Sequence, residues 1–139
     1  MIVLDTNVIS EPLREIPNLN VRTWLDTQLA DDLYLTTTSL AELQVGVAIM
    51  PHGRKRLHLE ERLAALLQRL FGERFLAADR KVALMQAELV ARARAKGVAI
   101  NFADAQIAAI ANAHGFAVAS RDVAVFEAAG VEVINPWIA

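Results

Sequence analysis

The 139-residue chain is long enough to bury one hydrophobic core, and its 55% hydrophobic content, rich in Ala, Leu and Val, suits a compact globular fold. It has no cysteine for disulfides or thiolate metal sites and no apolar run of membrane-spanning length, and the opening Met1-Ile2-Val3-Leu4-Asp5 lacks the basic and apolar regions of a secretory signal. The net charge of −2 argues against a plain nucleic-acid binder, but removing four carboxylates discussed below turns it to +2. The expectation is one domain over residues 1–139, cytoplasmic and free of membrane.

Ile2-Val3-Leu4 is a short buried-strand candidate, ended by the polar Asp5-Thr6-Asn7. Pro12 and Pro17 then permit only short helical pieces. Asn18 can cap a helix that carries Val21, Trp24, Leu25 and Gln28 at helical spacing. Leu33-Tyr34-Leu35-Thr36 has the aromatic and β-branched content of a second strand. A helix fits Ser39 to Met50. Ser39-x-x-Glu42 matches a capping box, and Leu40, Leu43, Val47 and Met50 fall near one face.

Pro51-His52-Gly53 breaks that helix. The next runs from about Arg54 to Phe71, with a stripe of Leu59, Leu63, Leu66, Leu67 and Leu70, and Gly72 stops it. Phe75-Leu76 is a minimal third strand. Asp79 caps a long helix with an apolar seam of Val82, Met85, Leu89 and Ala93, ended by Gly97. Asn101 caps a further helix from about Phe102 to His114, closed by Gly115. Phe116–Ala119 is the fourth strand, Val123–Ala128 a short helix, and Val131–Ile134 the fifth strand. Strands alternating with helices predict an α/β fold, a parallel sheet covered on both faces.

Four acids stand out: Asp5, Glu42, Asp104 and Asp122. Three follow strand ends or the loop after one. Asp104 begins the helix that leads into the fourth strand. In an open α/β sheet such positions gather at the edge where sites are built. Each acid also has an ordinary explanation. Glu42 completes its capping box, Asp104 answers the positive end of its helix, and Asp122 caps a helix. Asp5 has no cap to form unless a helix starts at once. Together, with Thr6, Asn7, Ser39 and Ser120 beside them, four mutually repelling carboxylates call for a cation. Hard divalent Mg²⁺ or Mn²⁺ suits oxygen donors, and phosphodiester hydrolysis is the matching chemistry.

Other chemistries fit less well. His52, His58 and His114 make no metal-ligand pair, and His114 beside Gly115 reads as a charge at a helix C-terminus. No nucleophile elbow and no phosphate-binding Gly-rich loop appears. The basic clusters Arg54-Lys55-Arg56, Arg80-Lys81 and Arg92, Arg94, Lys96 read either as solvated helix faces or as flanks of an acidic centre.

The ordered set Ile2-Val3-Leu4-Asp5-Thr6-Asn7, Ala41-Glu42-Leu43 with Gly46, Asp104-Ala105-Gln106-Ile107-Ala108-Ala109 and Ser120-Arg121-Asp122 resembles the PIN-domain ribonucleases. Within them it is most similar to the VapC toxins of toxin–antitoxin modules. Asp5–Pro12 and Asn135-Pro136-Trp137 resemble the FitB-type branch. The resemblance implies a three-layer domain with a five-stranded parallel sheet of order 3-2-1-4-5. It implies that Asp5, Glu42, Asp104 and Asp122 bind Mg²⁺, with Mn²⁺ as substitute, and that Asn7 and Ser120 hold that shell by hydrogen bonds, with Thr6 beside them. Many relatives carry threonine where Ser120 stands, and serine keeps the hydroxyl.

The implied activity is a metal-dependent endoribonuclease that uses a metal-activated water and leaves a 5′-phosphate and a 3′-hydroxyl. Arg121, Arg80 and Lys81 are candidates to track the RNA backbone. The implied partners are a cognate antitoxin, operator DNA reached only through it, and a second copy in a homodimer. Leu40, Val47, Met50 and part of the Leu-rich helix are candidate surfaces for these contacts, with core filling as the competing reading. Two other functions compete. One is a non-catalytic PIN module that acts with its antitoxin as a DNA-bound co-repressor. The other is a phosphatase-like enzyme with Asp5 as nucleophile, although Asn7 stands where that chemistry wants a second acid.

Overall fold

The computed structural model describes residues 1–139. Five parallel strands, β1 (Ile2–Leu4), β2 (Leu33–Thr36), β3 (Phe75–Leu76), β4 (Ala117–Ala119) and β5 (Val133–Ile134), form one sheet in the order β3-β2-β1-β4-β5. The helices are α1 (Thr6–Ser10), α2 (Leu19–Thr27), α3 (Thr37–Ala48), α4 (Arg54–Leu70), α5 (Arg80–Ala95), α6 (Phe102–His114) and α7 (Val123–Ala128). The fold class and strand order are those expected. The last two strands start later than the sequence suggests, since Phe116 precedes β4 and Val131 and Glu132 precede β5.

Side chains alternate across a strand, so each central strand feeds two cores. Val3 and Val118 point into a cluster with Val82, Leu89 and Ala93 of α5, Ile107 and Ile110 of α6, and Phe126 of α7. Leu4 and Ala119 face the opposite way, into a cluster with Leu33, Leu35 and the buried leucines of α4. The result is three layers, helix on sheet on helix. No helix is long and apolar enough to cross a membrane.

Strand register positions the edge that matters. Leu4 pairs with Ala119, and the ladder extends one step further through Asp5 N–H donating to Ala119 O at 2.9 Å. Asp5 and Ser120 therefore leave adjacent strands side by side. The chain leaves β1 toward β2 on one side, and β4 lies on the other. Such a reversal opens a crevice at the carboxyl ends of the strands.

The capping box expected at Ser39 and Glu42 is not formed. Helix α3 starts two residues earlier, capped by Thr36, whose Oγ1 accepts from Ser39 N–H at 3.0 Å. Ser39 is buried, and Glu42 is released to the surface for another use. The expected contact face of α3 also divides. Val47 is buried in the core and Leu40 and Met50 are half-buried, while Val45 and Ile49 are the large apolar residues left exposed.

Gly130 locks the α5–α7 corner. Its φ of 84° is a left-handed conformation, and a Cβ there would collide with Arg92 Nη1. That Arg92 nitrogen donates to Ala129 O at 3.3 Å. Gly130→Ala is expected to cost about 1–2 kcal/mol from backbone strain alone, with more if Arg92 is displaced. Chemical denaturation checks this, and an unchanged midpoint would show that the corner relaxes freely.

Candidate metal-binding active site

The four predicted acids arrive from four separate elements at the carboxyl edge of the sheet. Asp5 follows β1, Glu42 sits in the second turn of α3, Asp104 in the first turn of α6, and Asp122 just after β4. All four line one cleft of about 440 Å³, together with Thr6, Asn7, Ser10, Glu11, Asn101, Arg121 and Trp137. Larger cavities exist. The largest, about 610 Å³, lies beside Pro12, Leu13 and α4 and carries four arginines but not one of these acids. Size alone therefore does not mark the chemistry.

Each acid has its own hydrogen-bond donor. Ser120 Oγ donates to Asp5 Oδ2 at 2.7 Å, and Thr6 Oγ1 donates to Glu42 Oε1 at 3.2 Å. Asn7 Nδ2 reaches Asp122 Oδ2 at 3.4 Å, the longest of the set. Asn101 Nδ2 donates to Asp104 Oδ2 at 3.1 Å, while its Oδ1 accepts from Asp104 N–H at 2.8 Å. Three of these four donors are the supporting residues named from the sequence. Asn101 was visible there only as a helix cap.

Two ordinary readings change in the structure. Helix α1 does start at once after Asp5, and Asp5 Oδ1 accepts from Thr6 N–H at 2.8 Å. Asp5 is thus both a cap and a cleft residue. Asp122 occupies the N-cap position of α7 but makes no side-chain cap bond. Its own N–H is instead held by Ser120 Oγ at 2.9 Å, which leaves the carboxylate for the cleft. Ser120, fully buried, thereby ties Asp5 and Asp122 together.

The electrostatics are unfavourable for bare carboxylates. Burial pushes the Asp5 carboxyl up to about 6 from an ordinary 3.8. The charges of Asp104 and Asp122 push the same way, and the Ser120 and Thr6 hydrogen bonds oppose them. Asp104 is also raised, first by burial, then by Asp122 and Glu42, against the pull of Asn101. Five acids and one arginine line the cleft.

The donor set suits a hard cation. Carboxylate, amide and hydroxyl oxygens surround the cleft, with no histidine or methionine among them. Asn7 Oδ1 is buried without a hydrogen-bond partner, a lone pair free for a cation or its water. No three Asp, Glu or His side chains close into a coordination cage. One or two carboxylates at a time, with water completing the shell, is the usual arrangement for Mg²⁺.

The basic candidates separate. Arg121 lines the cleft. Arg80 and Lys81 do not, and lie instead in a separate shallow groove with Leu84, Met85 and Glu88. The Arg54–Arg56 and Arg92–Lys96 clusters also stand outside the cleft. Arg121 forms no ion pair. Its guanidinium lies 5.2 Å from the ring centroid of Trp137. Glu11 was missed as a cleft residue. It is buried, accepting from Asn18 N–H at 3.1 Å and pairing with Arg14 at 3.2 Å. Its place in the Asp5–Pro12 run that carries the FitB-type resemblance was the available signal.

Comparison with known proteins identifies the family and matches the fold. The family model described as PIN domain matches residues 2–131. The chain is 52% identical over 137 residues to plasmid stability protein StbB of Pseudomonas syringae pv. tomato, covering 99% of both chains. It is 47% identical to toxin FitB of Neisseria gonorrhoeae, again covering 99% of both. It is 45% identical to VapC ribonuclease Y4jK of Sinorhizobium fredii, covering 99% of this chain and 98% of that one. A solved structure of FitAB bound to an IR36 DNA fragment superposes with a TM-score of 0.93 at 45% identity, covering 99% of this chain and 96% of that one.

Proposed function

The chain belongs to the PIN-domain family, and on that premise we propose that it is a metal-dependent endoribonuclease, the toxin of a type II toxin–antitoxin module. One observation carries the reading. Four carboxylates from distant parts of the chain, each with a dedicated hydrogen-bond donor, line one cleft at the switch point of the sheet. The names of the toxin FitB and VapC ribonuclease relatives support the biological setting.

In this reading Asp5, Glu42, Asp104 and Asp122 hold Mg²⁺, or Mn²⁺ in its place, directly or through water. When bound, the cation supplies positive charge that admits an anionic phosphodiester and acidifies a water for its hydrolysis. Ser120 fixes the Asp5 carboxylate and, through the Asp122 N–H, the turn that carries Asp122. Asn7, Thr6 and Asn101 fix the remaining acids. Donors of this kind orient ligands and keep them ionised. Arg121, the cationic residue of the cleft, holds the RNA backbone. Arg80 and Lys81, outside the cleft, are contacts for a more distant part of a long RNA.

Residues 1–139 act as one domain in the cytoplasm, in a homodimer, with a cognate antitoxin that brings it to operator DNA. The DNA-bound FitAB relative supports that last step. A phosphatase-like role for Asp5 is disfavoured, because that chemistry wants a second acid two residues on and Asn7 stands there. A purely co-repressing module gives no reason to keep four mutually repelling acids.

The test is cleavage of a mixed pool of structured and single-stranded RNAs with Mg²⁺, with Mn²⁺ and with EDTA. Cleavage that requires metal and yields 5′-phosphate ends is expected. A 2′,3′-cyclic phosphate in the products would overturn the hydrolytic route. Harmless expression in cells with intact antitoxin binding would favour the co-repressor.

A further inference from the structure

Arg121 is a cation in a cleft with five carboxylates, yet it pairs with none of them and lies against the indole of Trp137. Its neighbour in sequence, Asp122, takes its side-chain hydrogen bond from Asn7. Trp137 is the half-buried aromatic residue of the cleft lining, and its main chain is held by two hydrogen bonds. Its backbone N–H donates to Asn135 Oδ1 at 3.0 Å, and its backbone carbonyl accepts from Asn20 Nδ2 at 2.7 Å. It also packs against the core cluster that contains Leu4 and Ala119. An exposed arginine free to choose would be drawn to the surplus of negative charge beside it. A guanidinium among the acids would occupy the oxygens that a divalent cation needs.

We propose that Trp137 is a positioning residue that parks Arg121 away from the carboxylates. It keeps their oxygens open to the metal and presents the guanidinium edge to an RNA phosphate. The indole face competes with the acids for the cation through the attraction of a positive charge to a π-cloud. A guanidinium held over a ring spends none of its N–H groups on an acid, which leaves them for bidentate phosphate binding. The proposal rests on the reading of the cleft as a metallo-ribonuclease site.

The test measures Mn²⁺ affinity by titration calorimetry for the wild type, Trp137→Leu, Arg121→Gln and the double variant. Leucine keeps apolar bulk against the core but has no ring face. Trp137→Leu is expected to weaken Mn²⁺ binding about three- to tenfold, because the freed Arg121 falls among the acids. The double variant is expected to regain the affinity of Arg121→Gln, and Trp137→Phe to stay near wild type. Unaltered binding in Trp137→Leu, or a double variant as weak as Trp137→Leu, overturns the proposal.

If leucine at 137 unsettles the fold, Arg121→Gln decides alone. A change within about threefold is expected, from loss of a nearby charge. A tightening of tenfold or more would place Arg121 among the carboxylates in the wild type and overturn the proposal. A wild type that takes up no Mn²⁺ would overturn the metallo-ribonuclease reading and this proposal with it. Normal wild-type uptake with an indifferent Trp137→Leu overturns the proposal alone.

Discussion

Asp5→Asn is expected to abolish metal-dependent RNA cleavage, by on the order of 10³-fold or more, and at the same time to stabilise the metal-free protein. The two effects share a cause. Asp5 is 4% exposed and its carboxyl is raised to about 6. The folded state therefore holds the Asp5 proton more tightly than the unfolded chain, whose value is near 3.8. This contribution to stability is fully present below about pH 4 and is lost as the pH rises through about 6. By neutral pH the loss amounts to about 3 kcal/mol, from 1.36 kcal/mol per unit.

Asparagine has no charge to desolvate. It can still accept from Thr6 N–H, while Ser120 Oγ can turn to accept from its amide. A net gain of about 1–3 kcal/mol is expected at pH 8 in EDTA, shrinking to nothing near pH 4. Melting curves of both proteins across pH check it. Adding Mg²⁺ should raise the wild-type melting temperature more than that of Asp5→Asn, because the variant has lost one of the four carboxylates and binds the cation more weakly. A variant that loses stability equally at both pH values would show that Asp5 is no electrostatic burden. One that still cuts RNA at full rate would remove Asp5 from the site.

Ser120→Ala is the second large effect. The Ser120 hydroxyl is fully buried, donates to Asp5 Oδ2 and accepts the Asp122 N–H. Its removal orphans a buried carboxylate oxygen and a backbone donor at once. The expected cost is about 1–3 kcal/mol of stability. Because the Ser120 bond opposes the upward push on the Asp5 carboxyl, that value rises further in the variant. Metal affinity and cleavage are expected to fall about 10- to 100-fold, most steeply on the acid side of neutrality. Ser120→Thr keeps the hydroxyl and should retain most of both. Threonine as damaging as alanine would mean that space, not the hydrogen bond, is what Ser120 provides. A pH profile that drops without shifting would mean that Asp5 ionisation is not the linked step.

Local signals located the fold well. The turn residues Asn18, Asp79 and Asn101 cap the helices they were expected to cap, because a side-chain acceptor beside bare N–H groups is a purely local interaction. The leucine stripe of α4 is buried at Leu63, Leu66, Leu67 and Leu70, as helical spacing requires. Local reasoning failed at Ser39 and Glu42. Thr36 competes with Ser39 for the same helix start, and Thr36 wins because it ends β2. A pattern of four residues cannot weigh a strand boundary against a capping box.

What the amino-acid order determined by itself is the list of candidates: alternating strands and helices, four acids at their junctions, and small polar residues beside them. Only the tertiary structure decided which polar residue serves which acid. The parallel register of β1 and β4 puts Ser120 on Asp5, although 115 positions separate them. The packing of α1 on α3 sets Thr6 against Glu42 across 36 positions. The same assembly placed Arg121 on Trp137 and left Arg80 and Lys81 outside. Residue type follows from chemistry that each position carries alone. Pairing follows from distances that exist only after the sheet has closed and both cores have packed.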